Sequence, residues 1–391
     1  MSSPHTELNI RPDIAHLEES QIVEVWRMGF DVPDVIGMWV GEGDLPTPRF
    51  ICDAAARALA AGETFYTHKR GIPELRQALI DYHRDLYGVT IADSRIAVTS
   101  SGMNAMMLIV QTLISAGDNM VCVTPVWPNI FAALQIQGGI ARHVPMVGTD
   151  HGWELDLDRL FAACDERTRA IYLASPGNPT GWVMPEDQRR AVLDFARQRG
   201  IALIADEVYN RLIYNRRVAP SFLEIARPDD PLFVVNSFSK TWAMTGWRVG
   251  WIILPEGLSE QVDRLIEFNT SGGQSFLQAG CIAALREGEP WVKWMVDRCH
   301  RGRDLVLERL RAMDRVSVIP ADASFYLMLR VEEMGNPVAF CKRLVREARV
   351  GLAPGTAFGA GGEHYLRLCY AQGEERLSQA MDRLAGFLGQ A

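Results

Sequence analysis

The sequence predicts an α/β protein with a large domain built on a mostly parallel sheet and a smaller α+β domain. Three observations predict it. Short runs that are apolar on both faces recur through the middle of the chain: "MVCVTP" (120–125), "RAIYLASP" (169–176), "IALIADE" (201–207) and "PLFVVNS" (231–237). Helical patterns such as "PEDQRRAVLDFARQRG" (185–200) separate them, the alternation expected of a parallel sheet covered on both faces. The last hundred residues then change character.

Taken in order, "IAVTSSGMNAMMLIVQTLISAG" reads as a strand, a turn at Ser101 and Gly102, and a helix from about Met103. The four apolar runs follow as strands. A long charged helix pattern, "WVKWMVDRCHRGRDLVLERLRAM" (291–313), opens the last part, followed by "VSVIPADASFYLMLRV" (316–331), another helix, "YLRLCYA" (365–371) and a closing helix. The expected boundaries are a large domain over 48–288 and a small domain made of 1–47 and 289–391. No repeat, low-complexity tract or Gly/Ser linker interrupts them, so the two domains are expected to pack tightly.

At 391 residues, with 48% hydrophobic and 23% charged side chains, the chain has the balance of an ordinary soluble protein with a large core. Its formal net charge of -8 excludes the basic face that a nucleic-acid binder needs, which leaves small-molecule chemistry. Seven cysteines are scattered with no zinc-like spacing, predicting buried thiols, no disulfide framework and no metal site. "MSSPHTELNIRPD" lacks the basic and apolar segments of a signal peptide, and no apolar stretch reaches the ~20 residues of a membrane span. These features predict a cytoplasmic protein that binds neither nucleic acid nor membrane.

In parallel α/β sheets, ligands sit beyond the carboxyl ends of the strands. After 169–176 comes "SPGNPTG", a turn that presents Asn178. The strand "IALIADEVY" ends in Asp206, with Tyr209 three residues on, and a carboxylate there is costly to desolvate unless it meets a cation. "PLFVVNS" delivers Ser237, Ser239 and Lys240, with Arg248 eight residues after the lysine. The turn at Ser101, Gly102 and Met103 offers free N–H groups and the positive end of a helix, which suits a phosphate, and Arg248 is a bidentate phosphate donor. Trp127, in "TPVW", supplies an aromatic face for a flat ring. A flat ring with a phosphate arm, a basic nitrogen, a phenolic oxygen and an aldehyde is pyridoxal 5'-phosphate.

From these residues the chain resembles the fold-type I, class I/II aminotransferases of the aspartate aminotransferase superfamily over nearly its whole length. The matching segments, in order, are "GEGDLPTP", "FYTHKRGIPELRQAL", "SSGMNAM", "TPVWP", "SPGNPTG", "DEVY", "SFSKTWAMTGWRVGW", "SFYLML", "PGTAFG" and "YLRLCYA". The resemblance implies a three-layer α/β/α large domain. It implies that Lys240 bonds the cofactor aldehyde and shuttles the substrate proton, that Asp206 pairs with the ring nitrogen, and that Tyr209 and Asn178 bond the phenolic oxygen. Trp127 would stack on the ring, while Arg248, Ser237 and the backbone of Ser101, Gly102 and Met103 would hold the phosphate, with Ser239 a neighbour. Arg367 would bind the substrate α-carboxylate beside Asn178 and the backbone of Gly41. Tyr66 would reach the cofactor phosphate of a neighbouring subunit, making the active unit a homodimer.

The implied reaction moves an amino group from an L-α-amino acid to a 2-oxo acid, 2-oxoglutarate being the expected acceptor, in two half-reactions. The same scaffold also supports C–S or β-eliminating lyases and related synthases, which stay open as the alternative. Transcriptional regulators that use such a domain carry a DNA-binding module ahead of it, and forty residues precede Gly41 here. Two departures from the family pattern stand out: Gly43 where a proline is common, expected to loosen a loop closing on substrate, and Trp127 where a tyrosine is common. The cluster His68, Lys69 and Arg70, just after Tyr66 and so close to where the neighbouring subunit's cofactor would lie, is a candidate for recognising a substrate's distal carboxylate.

Overall fold

The computed structural model describes residues 9–389. Residues 1–8, which open the predicted small domain and the segment read for a signal peptide, lie outside the described residues. The largest sheet has seven strands, in spatial order Ile96–Thr99, Gly250–Ile253, Leu232–Ser237, Ala202–Asp206, Thr168–Ala174, Asn119–Thr124 and Ile140–Pro145. Six run parallel, and Gly250–Ile253 runs antiparallel between two of them.

This sheet is covered on both sides, which is why its strands read as continuous apolar runs. Along Thr168–Ala174, Ile171 and Leu173 join one core while Ala170, Tyr172 and Ala174 join the other. The same alternation divides Leu203 from Ile204 and Val121 from Cys122. The first core takes Ile51, Leu75, Val192 and Cys281 from helices Arg49–Ala60, Pro73–Tyr87, Glu186–Arg199 and Ser275–Glu287. The second takes Leu108, Ile130 and Val262 from Gly102–Leu113, Asn129–Ile136 and Ser259–Asn269. The architecture is therefore three layers, α/β/α, each fully buried aliphatic side chain contributing roughly 1.5–3 kcal/mol.

A four-stranded antiparallel sheet, Val316–Ile319, Tyr326–Val331, Leu366–Cys369 and Ala353–Pro354 in that order, occupies the C-terminal part. Helices Glu289–Arg311 and Glu374–Gly389 pack near it, and a third core gathers Leu307, Leu329, Leu366 and Leu384. Residues before Pro48 belong to this core as well: Val25 and Met38 are buried in it, and Ile36–Gly37 pairs in parallel with Val350–Gly351.

The strand Gly250–Ile253 was absent from the sequence expectations, yet it positions the site. Gly250 pairs with Ser237, so the chain leaves the sheet at Ser237, passes Lys240, and returns beside its own departure point. The return brings Arg248 back toward Ser237. A β-carbon on Gly250 would stand 2.7 Å from the backbone nitrogen of Gly102, so glycine is what lets this strand pass under the start of helix Gly102–Leu113.

Candidate active site

The carboxyl ends of the central strands and residues of the antiparallel sheet enclose a cleft of about 620 Å³. Lys240 enters it from the short helix Phe238–Thr241, directly after strand Leu232–Ser237. Its Nζ donates to the carbonyl of Gly41 at 2.5 Å. Burial pushes the amine down to about 8, the largest of the influences on it. A β-carbon on Gly41 would collide with the Tyr326 hydroxyl and lie 3.6 Å from Lys240 Nζ, so the glycine keeps the space around the amine open.

Asp206 ends its strand inside the cleft. Burial pushes its carboxyl up to about 6, against the opposing pull of the Val208 N–H at 3.2 Å and the Tyr172 hydroxyl at 3.1 Å. The sequence reading missed Tyr172, whose only signal is a tyrosine in an otherwise aliphatic run. A buried carboxylate with two neutral donors and, among the described residues, no ion pair is an acceptor for a positively charged partner.

Tyr209 and Tyr326 share a hydrogen bond of 2.7 Å, and burial raises both phenols above their usual range. Tyr326 was also missed, although it stands in the "SFYLML" segment. It pairs with Cys369 across the strands, which sets it diagonal to Arg367, and the Arg367 guanidinium lies 4.5 Å from its ring centre.

Arg367 is 2% exposed. Its guanidinium donates to Asn178 Oδ1 at 3.0 Å and to the Trp39 carbonyl, and Phe358 faces it from 4.8 Å. Its Nε has no hydrogen-bond partner among the described residues. A buried guanidinium with an unused donor, lining a cleft, fits an incoming carboxylate.

Gly102 and Met103 begin helix Gly102–Leu113 at the cleft wall, capped by Ser101, whose hydroxyl accepts from the Asn104 N–H at 2.9 Å. The first turn of a helix leaves its N–H groups without intrahelical acceptors. Beside it, the Ser237 hydroxyl donates to Ser239 Oγ at 2.9 Å, and Arg248 lines the same region, donating to the Thr245 carbonyl at 2.6 Å. Among the described residues no carboxylate pairs with Arg248. A β-carbon on Gly102 would sit 3.5 Å from the Ser237 β-carbon, narrowing a cradle of anion-binding groups. Trp127 lines the same cleft.

Two expectations fare differently. Tyr66 does not line the cleft and is 93% exposed. The His68, Lys69 and Arg70 cluster does not face the cleft either. Arg70 is buried, bonded to the carbonyls of Asp93 and Ile96 at 2.9 and 3.1 Å and to Asp263 at 3.2 Å, and Lys69 pairs with Glu267 at 2.5 Å. His68 accepts from the Arg70 N–H, so it helps shape the turn. Lys69 and Arg70 are thus held by residues of their own chain, at Asp93 and Ile96 and on helix Ser259–Asn269, and the cluster lies outside this chain's cleft. At Gly43, a β-carbon would stand 2.9 Å from the Ala371 carbonyl, so its glycine fits a close crossing of backbones.

A doubly covered, mostly parallel sheet with a half-buried lysine and a buried carboxylate at adjacent strand ends defines a fold-type I enzyme of the pyridoxal-phosphate-dependent class. Residues 33–384 match the family model described as aminotransferase class I and II, and the chain belongs to that family and is a transaminase. It is 31% identical to an aspartate aminotransferase of Pyrococcus horikoshii, over 94% of each chain. A probable aspartate/prephenate aminotransferase of Aquifex aeolicus is 34% identical, over 95% of this chain and 96% of its own. The crystal structure of an aspartate aminotransferase from Thermotoga maritima superposes with a TM-score of 0.90 at 30% identity, covering 97% of this chain and all of its own.

Proposed function

We propose that this transaminase uses pyridoxal 5'-phosphate to move the amino group of an L-α-amino acid to a 2-oxo acid, 2-oxoglutarate being the expected acceptor, in two half-reactions of a ping-pong cycle. The observation that carries this reading is a single cleft holding a half-buried lysine, a buried carboxylate and a buried arginine with an unused donor. The residues fit the cofactor: an anion cradle at one end, a carboxylate to face a ring nitrogen at the other, and an amine between. When bound, pyridoxal phosphate supplies an electron-accepting ring to which amino groups attach.

The chain's own residues then have distinct tasks. Gly102, Met103, Ser237 and Arg248 hold the phosphate, with Ser101 fixing the helix start. Asp206, kept from water, stays opposite a protonated ring nitrogen, and Trp127 covers the ring. Tyr209 and Asn178 hold the phenolic oxygen. Arg367 binds the substrate α-carboxylate, with the Gly41 backbone beside it, and so fixes which bond at Cα is presented. Lys240, its amine depressed to about 8, holds and returns the proton at Cα.

Tyr66 belongs to this proposal as a phosphate contact to a second subunit of a homodimer; its exposure leaves it free for that role. The division into 48–288 and the combination of 1–47 with 289–391 is part of the same reading, supported by the separate cores. Cytoplasmic residence is supported by seven free thiols. No helix among the described residues is long and apolar enough to cross a membrane.

The test is to supply L-amino acids with and without 2-oxoglutarate to protein loaded with pyridoxal phosphate. Transamination yields glutamate and a new 2-oxo acid, and Lys240→Ala abolishes both. Release of ammonia without an acceptor, or turnover surviving Lys240→Ala, overturns the reading.

A further inference from the structure

We propose that the amino donor carries an apolar side chain, aliphatic or aromatic, and that helix Gln21–Met28 recognises it; the inference rests on the transaminase reading above. This helix is apolar on a second face. Gln21, Glu24 and Val25 attach it to the protein: Thr356 donates to Gln21 at 2.6 Å, Lys342 donates to Glu24 at 2.5 Å, and Val25 is fully buried. Spacing of three and four residues puts Ile22, Val23 and Trp26 together on the remaining face, and all three line the cleft. Trp26 is 39% exposed, its ring held edge-to-face against Phe30 at 4.8 Å.

The charges of the cleft point the same way. Its cations on this chain are Lys240, Arg248 and Arg367, and the reading above occupies all three with cofactor and α-carboxylate. Two carboxylates remain at the lining: Asp206, which that reading sets against the ring nitrogen, and Glu42, which accepts from the Thr245 hydroxyl at 3.1 Å. Among the described residues of this chain, a second carboxylate on the donor would therefore meet an apolar wall and a like charge, with no ion pair to offset its desolvation. An aliphatic or aromatic side chain would instead cover Trp26 and Val23 and gain by leaving water. 2-Oxoglutarate must then lay its distal carboxylate at the open mouth of the cleft, where solvent screens it, and glutamate, which leaves the same site as its product, does the same; aspartate, with the shorter side chain, is therefore the acidic donor that discriminates.

The experiment follows cofactor absorbance in the first half-reaction alone, with no acceptor, for L-phenylalanine, L-leucine, L-methionine, L-alanine, L-aspartate and L-glutamate. At least one of the three large apolar donors should react with a rate constant per concentration at least about tenfold above aspartate, within the range that pocket contacts give. Trp26→Ala should lower the constant of that donor more than alanine's, and Val23→Lys should raise those of aspartate and glutamate. Aspartate reacting as fast as or faster than the apolar donors would overturn the inference. So would variants that take up cofactor normally and leave the ratios unchanged. Discharge by no amino acid at all would instead sink the transaminase reading beneath it.

Discussion

The floor of the cleft and the segment 63–70 at the surface carry similar side chains, tyrosines and cations, but they are built in opposite ways. On the floor, Asp206, Tyr209 and Arg367 are buried, and each finds a partner within the chain: Tyr172, Tyr326 and Asn178. At the surface, the cations Lys69 and Arg70 turn back on acidic partners, while Phe65 and Tyr66 point outward, 84% and 93% exposed. A functional residue that one chain assembles by itself reveals itself by desolvation and partners. One that acts on a neighbour shows neither, and only an otherwise wasteful exposure of an aromatic ring remains.

Asp206 is where the first half of that comparison breaks most visibly. Asp206→Asn keeps the shape and removes the charge, and it should lower kcat on the order of 10²–10³-fold, the usual loss when a preorganised charge at the reacting group is removed. The cofactor-free protein offers a second readout. The folded carboxyl sits at about 6, above its usual 3.8, so the folded state holds its proton more tightly than the unfolded chain. The stability tied to this group is fully present below pH ~4 and is lost as pH rises through about 6, a change on the order of 3 kcal/mol. Denaturant titrations of the cofactor-free protein at pH 4 and pH 7 should show Asp206→Asn flattening that loss. An unchanged slope would mean that another group carries it.

Arg248 tests the anion cradle with a smaller effect. Arg248→Ala should weaken retention of pyridoxal phosphate by roughly 1.5–3 kcal/mol, about ten- to a hundredfold in the dissociation constant. Arg248 has a φ of 55°, a left-handed conformation that is strained for any side chain, and Arg248→Lys keeps that strain and the charge while losing the planar fork. If the two variants weaken binding equally, the fork matters; if Arg248→Lys is nearly normal, the charge does.

Much of this was legible because burial on two faces leaves a continuous apolar run and the run's last residue marks a strand end. Asp206, Asn178, Ser237 and Lys240 were found in that way. The strand Gly250–Ile253 was not, since it follows directly on the glycine- and tryptophan-rich turn of Arg248, and its pairing with Ser237 is a long-range fact of register. Tyr172 and Tyr326 were missed because an interior tyrosine looks like any other core aromatic until its hydroxyl finds a partner. The apolar wall of Ile22, Val23 and Trp26 was missed because a helix with two apolar faces resembles an ordinary buried helix, and nothing in a linear pattern says that one face meets a cleft. Arg70 shows the reverse case: a charge cluster near a site suggests recognition, whereas its guanidinium is taken up by the backbone carbonyls of Asp93 and Ile96 in its own chain.

Tyr66 gives the smallest expected effect and the sharpest form of the comparison. Tyr66→Phe removes one hydroxyl and should weaken cofactor retention by roughly 0.5–1.5 kcal/mol, with little change in the stability of the fold, since an exposed phenol contributes little to it. So small a change is ambiguous by itself, but mixed dimers resolve it. In a dimer of one Tyr66→Phe subunit and one Lys240→Ala subunit, a tyrosine acting across the interface leaves one complete site, with Lys240 from the first chain and Tyr66 from the second. That site should turn over and bind pyridoxal phosphate as tightly as the wild type. A tyrosine acting within its own chain leaves no complete site, because the only subunit with Lys240 lacks its hydroxyl, and the weakened affinity would persist in every active site of the mixture.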